Sequence, residues 1–184
     1  MTTVLFIHSA GAQDPGEGSS ALLENLRAAL PDGMKLEAPL MPQPDNPEAE
    51  LWIAACQSAI TGIEDEFVIV GHSLGGSTVL QTLARFGLPV NLKGVVTLAS
   101  PFWGAPGWEY AAYALPPEEA TKLLQLPRLI MLLGDEDDTV TADHLDRYKA
   151  ILPNAETKSL PGIDHEAAEA APDILAAIGS IEGA

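Results

Sequence analysis

Apolar residues along the chain fall into two alternating patterns. Short β-rich runs recur at residues 4–8, 34–38, 67–70, 92–98, 129–133 and 155–160. Several are continuous rather than alternating, as expected for strands covered on both faces. The segments between them carry apolar residues at three- and four-residue spacing, which predicts helices. In the second of these, Trp52, Ala55, Cys56, Ala59 and Ile63 keep the spacing. Asn46 is placed to cap it, Pro47 suits its first turn, and Glu48 and Glu50 oppose the positive end of its dipole. The third predicted helix follows Ser73, buries Val79, Leu80, Leu83 and Phe86, and stops at Gly87 with Pro89 behind it. Further helices are predicted over 141–152 and 172–181.

Alternating strands and helices imply a mostly parallel sheet with right-handed crossovers. Residues 101–125 break the rhythm. They hold four prolines and, in Trp103, Trp108, Tyr110 and Tyr113, four of the six Trp and Tyr residues of the chain. An excursion this long between strands marks a functional loop, here a short cap-like insertion.

At 184 residues and 47% apolar composition, the chain fits one domain with a sizeable core. Nine basic residues against 26 acidic ones give a net charge of −17. A nucleic-acid or anionic-membrane partner is therefore not expected, since phosphate binding needs a basic face. The N-terminus does not read as a signal peptide and no stretch reads as a membrane span, so a cytoplasmic location is expected. The lone Cys56, set among apolar residues, reads as a buried thiol. The acidity is uneven: residues 67–108 contain no carboxylate.

That carboxylate-free stretch holds the strongest chemical signal, Val68-Ile69-Val70-Gly71-His72-Ser73-Leu74-Gly75-Gly76. It reads as strand, Gly-x-Ser-x-Gly, then helix. A sharp strand-to-helix turn exposes the serine hydroxyl in a strained conformation, and residues two before and two after must be small to let strand and helix approach. The helix N-terminus offers backbone N–H groups where an oxyanion would form.

A serine hydroxyl needs a base oriented by a carboxylate. In this architecture the chain order is serine, acid, histidine. His8 and His72 come too early. His144 lies within a predicted helix and is expected on the surface. His165, after the last strand, is the candidate base. The acid lies in Gly134-Asp135-Glu136-Asp137-Asp138-Thr139-Val140, with Asp137 favoured over Asp138 and Asp135. Asp164 reads as a turn cap.

These motifs resemble the α/β-hydrolase superfamily, in particular its small single-domain serine hydrolases, over nearly the whole chain. Gly71 to Gly76 is similar to the nucleophile elbow, Gly134 to Val140 to the Gly-x-x-Asp-x-x-Val acid loop, and Gly162 to His165 to the histidine loop. The resemblance implies an α/β fold whose six-stranded, mostly parallel sheet has the order 2-1-3-4-5-6, with helices on both faces. It implies a Ser73–His165–Asp137 triad acting on a small-molecule ester, thioester or amide, with no cofactor and no metal. Leu74 N–H would form the oxyanion hole with Ala10 N–H, although Ser9 stands where the family carries glycine. Trp103 and Trp108 are candidates for the substrate pocket.

Two rivals remain at this stage. Asp135-x-Asp137-x-Thr139 also matches the start of haloacid-dehalogenase-like phosphatases. A non-catalytic module built on the hydrolase fold is the other, since fold alone does not fix function.

Overall fold

The computed structural model describes residues 1–183. Strands β1 (Thr2–Ile7), β2 (Met34–Glu37), β3 (Phe67–His72), β4 (Leu92–Leu98), β5 (Leu129–Gly134) and β6 (Glu156–Leu160) form one sheet. Its order is β2-β1-β3-β4-β5-β6, and every neighbouring pair is parallel. Helices α1 (Ser20–Ala29), α2 (Ala49–Thr61), α3 (Leu74–Phe86), α4 (Pro117–Ala120), α5 (Asp143–Ile151) and α6 (Ala171–Glu182) connect or follow them. The six-stranded α/β sheet order expected from the sequence is the one observed.

The continuous apolar runs are explained by two cores. Leu5, Ile7, Ile69, Val95 and Met131 point to the face covered by α2, α3 and α5. Val4, Phe6, Val68, Val70, Val96 and Leu132 point to the opposite face, under α1 and α6. Strands that bury alternate residues into two apolar layers have no polar face. The edge strand β6 differs: Glu156 to Ser159 are exposed, as suits a strand that must not pair with another chain.

Three details depart from the sequence-based expectation. Helix α2 begins at Ala49, so Asn46 does not cap it and Pro47 lies outside it. Asn46 instead closes a turn onto the Gln43 carbonyl, and the Pro47 carbonyl accepts the Tyr113 hydroxyl. The chain is held from outside at the point where helix was expected. Phe86 is 52% exposed rather than buried, with the Arg85 guanidinium over its ring. The third departure, at His144, belongs to the site.

The insertion folds as two 3₁₀ turns, Ala111–Tyr113 and Thr121–Gln125, flanking α4. Its backbone is bonded to the scaffold. Ser77 and Tyr148 hydroxyls donate to the Pro101 carbonyl at 2.9 and 2.8 Å. Gln81 Nε2 donates to the Ala112 and Ala114 carbonyls at 3.1 and 2.8 Å. Cys56 is fully buried, and that burial pushes its thiol pKa up to about 12. No helix among the described residues is long and apolar enough to cross a membrane.

Candidate active site

Ser73 follows β3 directly and precedes α3. Its backbone has φ +51° and ψ −121°, a region that L-residues rarely occupy. The neighbouring glycines explain why the turn closes. A Cβ on Gly75 would lie 2.3 Å from the Ile7 carbonyl oxygen and 2.4 Å from that of His8. A Cβ on Gly71 would meet Gly76 Cα at 2.6 Å. The small residues at the second position on either side of the serine are thus required by backbone approach, one to β1 and the other to the start of α3.

The loop after β5 presents Asp137, whose side chain is fully buried. One carboxylate oxygen accepts the N–H groups of Thr139 and Val140 at 2.9 and 2.8 Å. The other faces His165 Nδ1 at 2.9 Å. Burial works to raise the Asp137 pKa. The hydrogen bond from His165, with those from Val140 and Thr139, outweighs it and holds the carboxyl below its ordinary range. Asp138 and Asp135 are exposed. Asp135 accepts Gly162 N–H at 2.7 Å, which ties the acid loop to the histidine loop.

His165 Nε2 lies 3.1 Å from Ser73 Oγ. The chain therefore brings Ser73, His165 and Asp137 into one hydrogen-bonded series. Asp164 accepts Ala167 N–H at 3.0 Å, a turn cap formed by His165's neighbour in the chain. His144 is not on the surface. It is buried, and its Nδ1 accepts Phe102 N–H at 2.8 Å. Burial keeps its pKa below the ordinary histidine value, which leaves Nδ1 free to accept. Helical periodicity could not place it, because the element covering that face of α5 is the irregular insertion.

A cavity of about 380 Å³ opens beside the Ser73 hydroxyl. Leu74 and Ala10 line it, and among the described residues no backbone acceptor takes up either N–H. Trp103, Trp108, Tyr110 and Tyr113 form one wall. The Trp103 ring centroid is 5.0 Å from those of both Trp108 and Tyr113. Asn46, Pro47 and Glu166 also line the cavity. The first two were read from sequence as helix-start residues, and nothing local marks Glu166. Among the described residues no group of three or more His, Cys, Asp or Glu side chains is placed to share a metal ion.

A parallel sheet in this order, with a strained serine between its third strand and the following helix, defines an α/β-hydrolase. The chain belongs to the serine hydrolase family, whose profile matches residues 24–170. No curated protein sequence matches it significantly. Among solved structures, the ydeN gene product of B. subtilis superposes with a TM-score of 0.80 at 16% identity, covering 100% of both chains. A carboxylesterase of the ammonia-oxidizing Thaumarchaeon Nitrososphaera gargenis gives 0.72 at 15% identity, over 97% of this chain and 90% of that one. The 2-hydroxy-6-oxo-6-phenylhexa-2,4-dienoate hydrolase of Rhodococcus sp. strain RHA1 gives 0.73 at 19% identity, over 99% and 90%.

Proposed function

We propose that the protein is an esterase-like serine hydrolase, with Ser73 as nucleophile, His165 as base and Asp137 as orienting acid. The observation that carries this reading is the pair of contacts at His165, 3.1 Å to Ser73 Oγ and 2.9 Å to Asp137. Asp137 accepts Nδ1–H, so Nε2 is left bare to take the serine proton. Ser73 Oγ attacks the carbonyl carbon as its proton passes to Nε2. The resulting oxyanion sits at the Leu74 and Ala10 N–H groups, each such donor lowering the barrier by roughly 3 kcal/mol. Collapse expels the alcohol, which leaves with the proton from Nε2. Water then attacks the acyl group by the same route, releasing the acid and restoring Ser73.

The cavity favours a small uncharged ester. Its wall is aromatic, and among the described residues no Lys or Arg lines it and Glu166 is the one acidic lining residue. The carboxylate-rich coat adds repulsion toward anionic substrates, strongest at low salt. Labelling with a fluorophosphonate probe, followed by mass-spectrometric site mapping, tests the assignment. Wild type should be modified at Ser73 and folded Ser73→Ala should not. Persistent labelling of Ser73→Ala would sink it. A panel of esters, thioesters and amides then orders the bond types.

A further inference from the structure

A second buried hydrogen-bond series runs behind the nucleophile and is not accounted for by the three triad roles. His72, between Gly71 and Ser73, is 1% exposed. Its Nε2 lies 2.8 Å from the carbonyl oxygen of His165, and its Nδ1 lies 2.8 Å from Ser19 Oγ. Ser19 Oγ also accepts Ser9 N–H at 2.8 Å and lies 2.7 Å from Ser9 Oγ.

The proton positions follow from counting. A carbonyl oxygen only accepts, so His72 Nε2 carries the hydrogen. Burial disfavours an imidazolium, bringing the His72 pKa down to about 4, so at neutral pH Nδ1 is bare. Ser19 must then donate to Nδ1. With its one proton committed, Ser19 Oγ accepts from both the N–H and the hydroxyl of Ser9. Every hydrogen in the series has one direction, from Ser9 through Ser19 to His72, and separately from His72 to the backbone of His165.

The ends of this series are two working parts of the proposed mechanism. Ser9 directly precedes Ala10, which lines the cavity, and His165 is the proposed base. We propose that His72 is a positioning residue that fixes the His165 backbone and, through Ser19, the Ser9–Ala10 turn relative to Ser73. Asp137 holds the base by its ring while His72 holds it by its carbonyl. The arrangement also gives Ser9 a purpose where glycine was expected, because its side chain and N–H are the anchor for Ser19. This inference rests on the serine hydrolase reading above.

The test compares wild type, His72→Leu, His72→Gln and Ser19→Ala on a chromogenic ester, with turnover expressed per fluorophosphonate-titrated site. Gln keeps a donor long enough to reach the His165 carbonyl, and Leu keeps only bulk. His72→Leu should lose kcat by roughly 10- to 100-fold with little change in KM, because a base displaced by a fraction of an ångström no longer meets the serine. His72→Gln should recover most of that loss. Ser19→Ala, which leaves the bond to His165 intact but frees Ser9, should lose kcat by a smaller factor. It keeps the question answerable if His72→Leu fails to fold. Equal kcat per titrated site in wild type and in the folded His72→Leu or Ser19→Ala would overturn the inference. So would a His72→Gln loss as large as that of His72→Leu. An unlabelled wild-type Ser73 would instead overturn the underlying reading and the inference with it.

Discussion

Asp137 and His165 meet through a single carboxylate oxygen, at 2.9 Å, while the other oxygen of Asp137 is held by the backbone of Thr139 and Val140. The carboxylate is thus oriented before it orients anything else. Val140, which supplies one of those N–H groups, is itself in the core under α6. The acid loop is fixed to the fold by a hydrophobic residue at one end and to the histidine loop by Asp135 at the other.

This geometry separates the neighbouring acids. Asp137→Asn should lower turnover of an activated ester by about 10⁴, because the amide can favour the wrong imidazole tautomer. Asp138→Asn, on an exposed side chain, should stay near wild type. Steady-state kinetics on the two variants decides, and a larger loss in Asp138→Asn would contradict the assignment.

Gly75 places α3 against the end of β1 with no room for a methyl group. Gly75→Ala should destabilise the protein by about 1–3 kcal/mol, since both opposing atoms are backbone carbonyl oxygens that cannot turn aside. The same displacement would move the turn that carries Ala10. Urea unfolding should therefore show a lower midpoint, and turnover per titrated site should fall as well. An unchanged midpoint would contradict a backbone approach too close for a methyl group.

Trp103 and Trp108 wall the cavity, pack against each other within the insertion, and, through Trp108, meet the His144 ring of α5 in a T-shaped contact. If they contact the acyl group, Trp103→Ala should raise kcat/KM for longer acyl esters relative to acetate by about tenfold or more. A series of p-nitrophenyl esters measures this. An unchanged chain-length preference would assign the two rings to anchoring alone.

Stability should depend on pH through His72. Its pKa is 6.5 ordinarily and about 4 in the fold, so between these values the unfolded chain binds the proton and the folded chain does not. The contribution is complete above about pH 6.5 and declines as pH falls toward 4. From pH 7 to 4.5 the loss is roughly 2–3 kcal/mol. The buried His8 and His144 are shifted in the same direction, and Asp137 acts only at lower pH. Urea unfolding of His72→Gln at the two pH values should give a smaller loss than wild type. Equal losses would place the titration elsewhere.

The sheet was legible in the sequence because its signals are local: apolar runs, a strand–turn–helix around Ser73, and acid and histidine loops in fixed chain order. The same locality explains the errors. Helical spacing indicates which positions of α5 share a face but not that residues 101–125 fold over His144. Pro47 satisfies every helix-start rule, yet the Tyr113 hydroxyl takes its carbonyl from 66 positions away. His72 and Ser19 lie 53 positions apart, and no nearby residue advertises their contact.

The insertion is bolted down by its main chain. Ser77, Gln81, His144 and Tyr148 bind its carbonyl and amide groups, whereas the tryptophan rings contribute none of these bonds. The Trp103 and Trp108 rings can therefore be exchanged while the frame that carries them stays put, whereas Tyr113, whose hydroxyl donates to the Pro47 carbonyl, belongs to that frame. For evolution or redesign, the segment behaves as an interchangeable cassette whose wall can drift independently of Ser73, His165 and Asp137 beneath it.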